Sequence, residues 1–154
     1  MEYGSIEREL HVDASPEVVF EVISSPAHLQ EWFPDEARME AVPGAIGEFR
    51  FGDLASPDVH VAAFTVVEVE APRRFSFRWV YPEGEAAAAD NSLLVTFDLI
   101  PSGAGTTVRL TETGFREKGW EAAVLEQQYQ DHSQGWDTHV PRLGEYLGRL
   151  VATT

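Results

Sequence analysis

Between residues 38 and 113 apolar positions recur every second residue, whereas on either side of that stretch they recur every three or four. A period of two marks strands with one covered and one wet face, and a period near 3.6 marks amphipathic helices. The alternation predicts strands over residues 38–42, 47–52, 59–70, 73–81, 92–100 and 106–113, with a further short strand at 6–12. Turn-forming clusters separate them: Pro43-Gly44, Ser56-Pro57-Asp58, Ala71-Pro72, Pro82-Glu83-Gly84 and the run Pro101 to Gly105. Breaks this short suit an antiparallel meander. Phe75, Phe77, Trp79 and Tyr81 share one parity, against Ser76, Arg78 and Val80; Leu93, Val95, Phe97 and Leu99 likewise oppose Thr96 and Asp98.

Two helices are predicted between the first strand and the meander. Ser15-Pro16-Glu17 supplies a capping hydroxyl and a proline at the first helical position, and Val18, Val19, Val22 and Ile23 follow at helical spacing. Ser25-Pro26 repeats the device for a short second helix through Leu29, ending near Trp32-Phe33-Pro34. Residues 117–151 predict one long closing helix. Its inner stripe runs through Leu125, Tyr129, His132, Trp136, His139 or Val140, Leu143, Leu147 and Leu150. Pro141 cannot donate to the Asp137 carbonyl and is expected to bend this helix, while Gly135 admits a neighbouring ring or backbone. The fold class is therefore α+β: a curved antiparallel sheet of six to seven strands wrapped around a long C-terminal helix, with two short helices after the first strand.

Composition narrows the function classes. A chain of 154 residues with 44% apolar side chains, nine Phe and four Trp is expected to form a single domain, 1–154, with ample core. Cysteine is absent, which excludes disulfides, thiolate metal sites and a cysteine nucleophile. A net charge of −15 repels nucleic-acid backbones and anionic membranes, so neither is an expected partner. No apolar run reaches the length of a membrane span, and Met1-Glu2-Tyr3-Gly4-Ser5 carries no signal-like pattern. The expectation is a cytoplasmic protein, monomeric or homodimeric.

Four segments, in order, carry a resemblance to a known family. They are Ala14 to Phe20 with His28-Leu29-Gln30-Glu31-Trp32-Phe33; Pro43-Gly44 through Gly47-Glu48-Phe49-Arg50; Val67 through Trp79; and Val95-Thr96-Phe97 through Gly114-Phe115 to Gly135-Trp136. With them the chain resembles the START-like (SRPBCC) superfamily of helix-grip proteins, most of all the branch named after the activator of heat-shock protein 90 ATPase. Pro141 and the alanine tract at 86–89 depart from the pattern. The resemblance implies a cavity between the sheet and the long helix, suited to an apolar or aromatic small molecule in a volume of roughly 300–1,000 Å³. Its candidate walls are Trp32, Phe33, Phe49, Phe51, Phe64, Phe77, Trp79, Tyr81, Phe97, Trp136 and Val140, with His132 and His139 as polar contacts. For any single one of these rings, plain core packing is favoured over a ligand contact.

Parity also sends Glu112 inward beside Val108 and Leu110. There it needs His132, Arg78, Arg109 or a ligand as partner. Alternatively it lies half exposed at the strand end, bonding the N-terminus of the long helix. A Glu112–His132 couple is the minimum equipment for general acid–base chemistry. Metal binding is not expected: His132 and His139 stand two turns apart, about 10.5 Å along the axis, and His11, His28 and His60 show no ligand spacing. Ser133 beside His132 does not face it on a helix, and no nucleophile elbow or phosphate loop is present. No cofactor is implied. Three functions remain: a small-molecule binding protein, a cyclase- or hydrolase-type enzyme using Glu112 and His132, and a chaperone-activating interaction protein.

Overall fold

The structure, a computed structural model, describes residues 4–82 and 84–152. Among these residues seven strands form one antiparallel sheet. They are β1 (Ser5–Val12), β2 (Glu36–Arg38), β3 (Ile46–Phe51), β4 (His60–Glu70), β5 (Arg74–Trp79), β6 (Leu93–Ser102) and β7 (Gly105–Thr113). The spatial order β1-β7-β6-β5-β4-β3-β2 is a meander whose last strand is capped by the first. Helices α1 (Pro16–Ser24) and α2 (Pro26–Leu29) follow β1, and α3 (Ala122–Ala152) closes the chain. This is the α+β, helix-grip arrangement expected from the pattern. The expected turn at Pro82-Glu83-Gly84 falls partly outside the described residues, as do the first three residues of the N-terminal stretch.

The elements form for local reasons. The Ser15 hydroxyl accepts from Val18 N at 3.3 Å and Pro16 opens α1. Ser25, by contrast, makes no side-chain cap, and α2 lasts a single turn. Along β6 the residues Leu93, Val95, Phe97 and Leu99 are buried, while Leu94, Thr96 and Asp98 are only half covered. Asp98 answers Arg74 across the β5–β6 register with an N–O distance of 2.7 Å. A register shift between Val66 and Glu68 bulges β4, and Ser76, buried on the outer parity of β5, accepts from Glu68 N there.

Two boundaries differ from expectation. The second strand covers Glu36–Arg38 instead of 38–42, because Ala37 is the residue that points inward and its neighbours pair with Arg50 and Glu48. Residues 39–45 instead fold into turns, closed by Val42 N on the Glu40 carbonyl and a left-handed Gly44. The long helix begins at Ala122 and not at 117. Gly119 takes a φ of 73°, and Lys118 is drawn toward the Val80 and Asn91 carbonyls, 2.8 Å from each. Across Pro141 the helix continues without interruption. Pro141 and Asp137 are both exposed, so the carbonyl left without a donor faces water.

The core lies between the sheet and the helices. α1 packs on β5, β6 and β7, and α3 runs against β1. Trp32, Phe49, Phe64, Phe75, Phe77, Phe97, Phe115 and Trp136 are among the largest side chains shut away from solvent. Burying each ring contributes about 1.5–3 kcal/mol. Exposed ion pairs such as Arg109–Glu9 contribute about 0–1 kcal/mol each, so the rings dominate the stability.

Candidate functional site

Glu112 is the centre of the site. It stands on β7, where the parity that buries Val108 and Leu110 also buries its carboxylate, with no exposed surface left. Trp79 Nε1, from the end of β5, donates to Oε2 at 2.7 Å. Trp136 Nε1, from α3, donates to Oε1 at 2.9 Å. His132 Nδ1, one turn before Trp136 on the same helix face, lies 3.0 and 2.9 Å from the two oxygens. Of the partners considered from sequence, His132 is the one that meets Glu112. Arg78 faces Ser92 and Arg109 faces Glu9 on the other side of the sheet. The half-exposed alternative for Glu112 is overturned, because the parity carries through to the strand end and α3 covers it.

A cavity of about 230 Å³ opens beside this cluster. Six of the residues expected to line it do so: Phe33, Phe51, Trp79, His132, Trp136 and His139. Phe33 is sandwiched in a stack, 5.4 Å from Trp32 and 5.2 Å from Trp136 between ring centroids. His132 meets Trp79 edge-on at 5.4 Å and Phe115 at 5.7 Å, so packing as well as hydrogen bonding holds its ring. Its Nε2 has no hydrogen-bond partner among the described residues and is not sealed off. His139 directs Nδ1 to the Trp32 carbonyl at 3.3 Å. Burial lowers its pKa most; the Trp32 carbonyl acts the other way, Arg142 lowers it further and Asp35 raises it.

The remaining expected walls lie elsewhere. Trp32, Phe49, Phe64, Phe77 and Phe97 are buried in the core and do not border the cavity, and Val140 packs against the core from α3. They fill the space between sheet and helix, which is why the cavity is smaller than the 300–1,000 Å³ envisaged. Tyr81 is a correction of another kind. Val80 adopts a φ of 60°, breaking the alternation after Trp79. The backbone twist puts Val80 on the cavity wall, and the Tyr81 hydroxyl pairs with Thr65 Oγ1 at 2.9 Å. His60, Ala62, Asp131 and Gly135 complete the lining and were not anticipated. Ala62 and His60 could have been found by carrying the inward parity of Phe64 back along β4. Asp131 and Gly135 flank the helix stripe already recognised.

The model of the family "Activator of Hsp90 ATPase homolog 1-like protein" matches residues 13–148. The chain belongs to this family. The match takes in α1, the whole meander and α3 as far as Gly148, and so includes every cavity residue. No curated protein sequence matches. Solved structures of similar fold include protein MLL2253 from Mesorhizobium loti, 20% identical, with a TM-score of 0.74 over 94% of this chain and 97% of that one. The Aha1 dimer from Colwellia psychrerythraea is 18% identical, with a TM-score of 0.71 over 93% and 95%. DynU16, a protein of the dynemicin biosynthetic locus, is 22% identical, with a TM-score of 0.69 over 94% of this chain. This chain spans about half of DynU16, 47% of its length. At such identities the likeness concerns the fold.

Among the described residues, no helix is long and apolar enough to cross a membrane.

Proposed function

We propose that this family member is a small-molecule binding protein whose ligand is an apolar or aromatic molecule held in the cavity beside Glu112. One observation carries the reading: four aromatic rings, Phe33, Phe51, Trp79 and Trp136, surround an opening in which His132 is oriented by a buried carboxylate. Aromatic walls with a few fixed polar groups are the usual composition of a ligand pocket. DynU16, similar in fold and from the dynemicin biosynthetic locus, is compatible with a small-molecule role, and the Aha1 dimer from Colwellia with a homodimeric state. The test is a panel of one- and two-ring aromatic compounds read by tryptophan fluorescence and melting temperature. Two of the four tryptophans line the cavity, so a bound ring changes their emission, and a ligand at 100 times its Kd stabilises by about 2.7 kcal/mol. A panel that moves neither signal removes the reading.

The Glu112–His132 contact supports a second reading, an enzyme. A histidine whose Nδ1 is held by a carboxylate and whose Nε2 faces a cavity has the layout of a general acid–base group. In that case Glu112→Gln and His132→Ala retain ligand binding and lose turnover. Turnover unchanged in both variants rules it out.

A further inference from the structure

The hydrogen-bonding capacity of the cavity wall is one-sided. An indole N–H can only donate, and both indoles of the wall, Trp79 and Trp136, direct theirs to Glu112. His132 Nδ1 sits almost equally far from the two oxygens of the same carboxylate, the position of an N–H shared between two acceptors. His139 Nδ1 faces the Trp32 carbonyl. A carbonyl accepts and never donates, so that nitrogen carries the hydrogen. In a neutral imidazole the other nitrogen is then a bare acceptor, which makes Nε2 of His139 the open acceptor of the wall. Burial favours the neutral form of His139. Asp131 at the exposed margin is a further acceptor, already receiving Gln127 Nε2 at 2.8 Å. Of the lining side chains, His60 on the exposed rim keeps an N–H without a partner among the described residues.

Resting on the ligand-binding reading, we propose that the cavity selects uncharged aromatic molecules that donate a hydrogen bond, phenols foremost, and turns away aromatic carboxylates. A phenol O–H completes an Nε2 lone pair that the protein leaves open. A carboxylate meets the lone pair of His139 Nε2, the carboxylate of Asp131 and a chain of net charge −15. It is accommodated only by taking up a proton with it. Size adds a second limit: a cavity of about 150 Å³ holds benzene, so about 230 Å³ suits one ring or two fused rings.

Calorimetric titration of the wild-type chain at about pH 8, where ordinary imidazoles are neutral, separates the possibilities with three probes of one shape: 2-naphthol, naphthalene and 2-naphthoate. The expected order is naphthol about five- to tenfold tighter than naphthalene, the worth of one good neutral hydrogen bond, with naphthoate weakest. In His139→Leu the ratio of naphthol to naphthalene affinity falls to about one. Naphthoate binding as tightly as naphthol, or a naphthol preference surviving in His139→Leu, overturns the donor selectivity and leaves the ligand-binding reading standing. Binding by none of the three overturns both.

Discussion

Glu112 receives three donors while shut off from water, and each donor comes from a different turn of chain: Trp79 on β5, Trp136 and His132 on successive turns of α3. A buried carboxylate without such partners is costly, and removing its charge leaves donors facing a weaker acceptor. Glu112→Gln is therefore expected to destabilise the fold by about 2–4 kcal/mol, measured as a shift of the urea midpoint at constant slope. Its inward direction was legible from the parity of Val108 and Leu110. Its satisfaction by two indoles was not, because the indoles approach from elements far apart in the chain. His139 makes a pH-dependent contribution. Its folded pKa lies below the ordinary 6.5, chiefly through burial, so below pH 6.5 the unfolded chain takes up a proton that the folded one refuses. Stability from this group is complete above pH 6.5 and falls as pH drops toward the folded value, by at most about 1.4 kcal/mol per pH unit. Urea midpoints at about pH 7.5 and pH 5.5 are expected to differ less in His139→Gln than in the wild type.

At the scale of elements, the helix stripe read from spacing matches the buried and half-buried positions of α3 from Leu125 to Leu150. Strand identities were equally legible, because β6 and β7 alternate without exception through their cores. The failures arose where a backbone conformation interrupts the period: Val80 at positive φ, which turned Tyr81 outward, and the turns at 39–45, which displaced β2. Gly105 and Pro141 allow two checks at this scale. A Cβ on Gly105 would run into the Val12 carbonyl oxygen, where β7 starts its pairing with β1. Gly105→Ala is expected to lower stability by about 1–3 kcal/mol, and a thermal melt reads it directly. Pro141 sits exposed inside an uninterrupted helix. Replacing it with alanine restores a backbone donor for the Asp137 carbonyl and is expected to stabilise by about 2 kcal/mol; an unchanged or lower melting temperature would refute this.

For the whole molecule, a net charge of −15 means that the folded chain repels itself. Raising salt from low concentration to about 0.5 M shortens the screening length to a few ångströms. The melting temperature is expected to rise across that range. The fold class and the order of elements follow from near neighbours in the chain, since a period of two or of 3.6 and a proline or glycine break act over a few residues. So does the pairing of Glu112 with one face, which is a matter of strand parity. The cavity is different in kind. Whether Phe49, Phe64, Phe77 and Phe97 fill the space under α3 or border an opening depends on how closely rings from five elements interlock, and the sheet and helix close on them tightly enough to leave about 230 Å³ at one end. Local pattern says which way a side chain points; volume left over is a property of all the side chains that point there together.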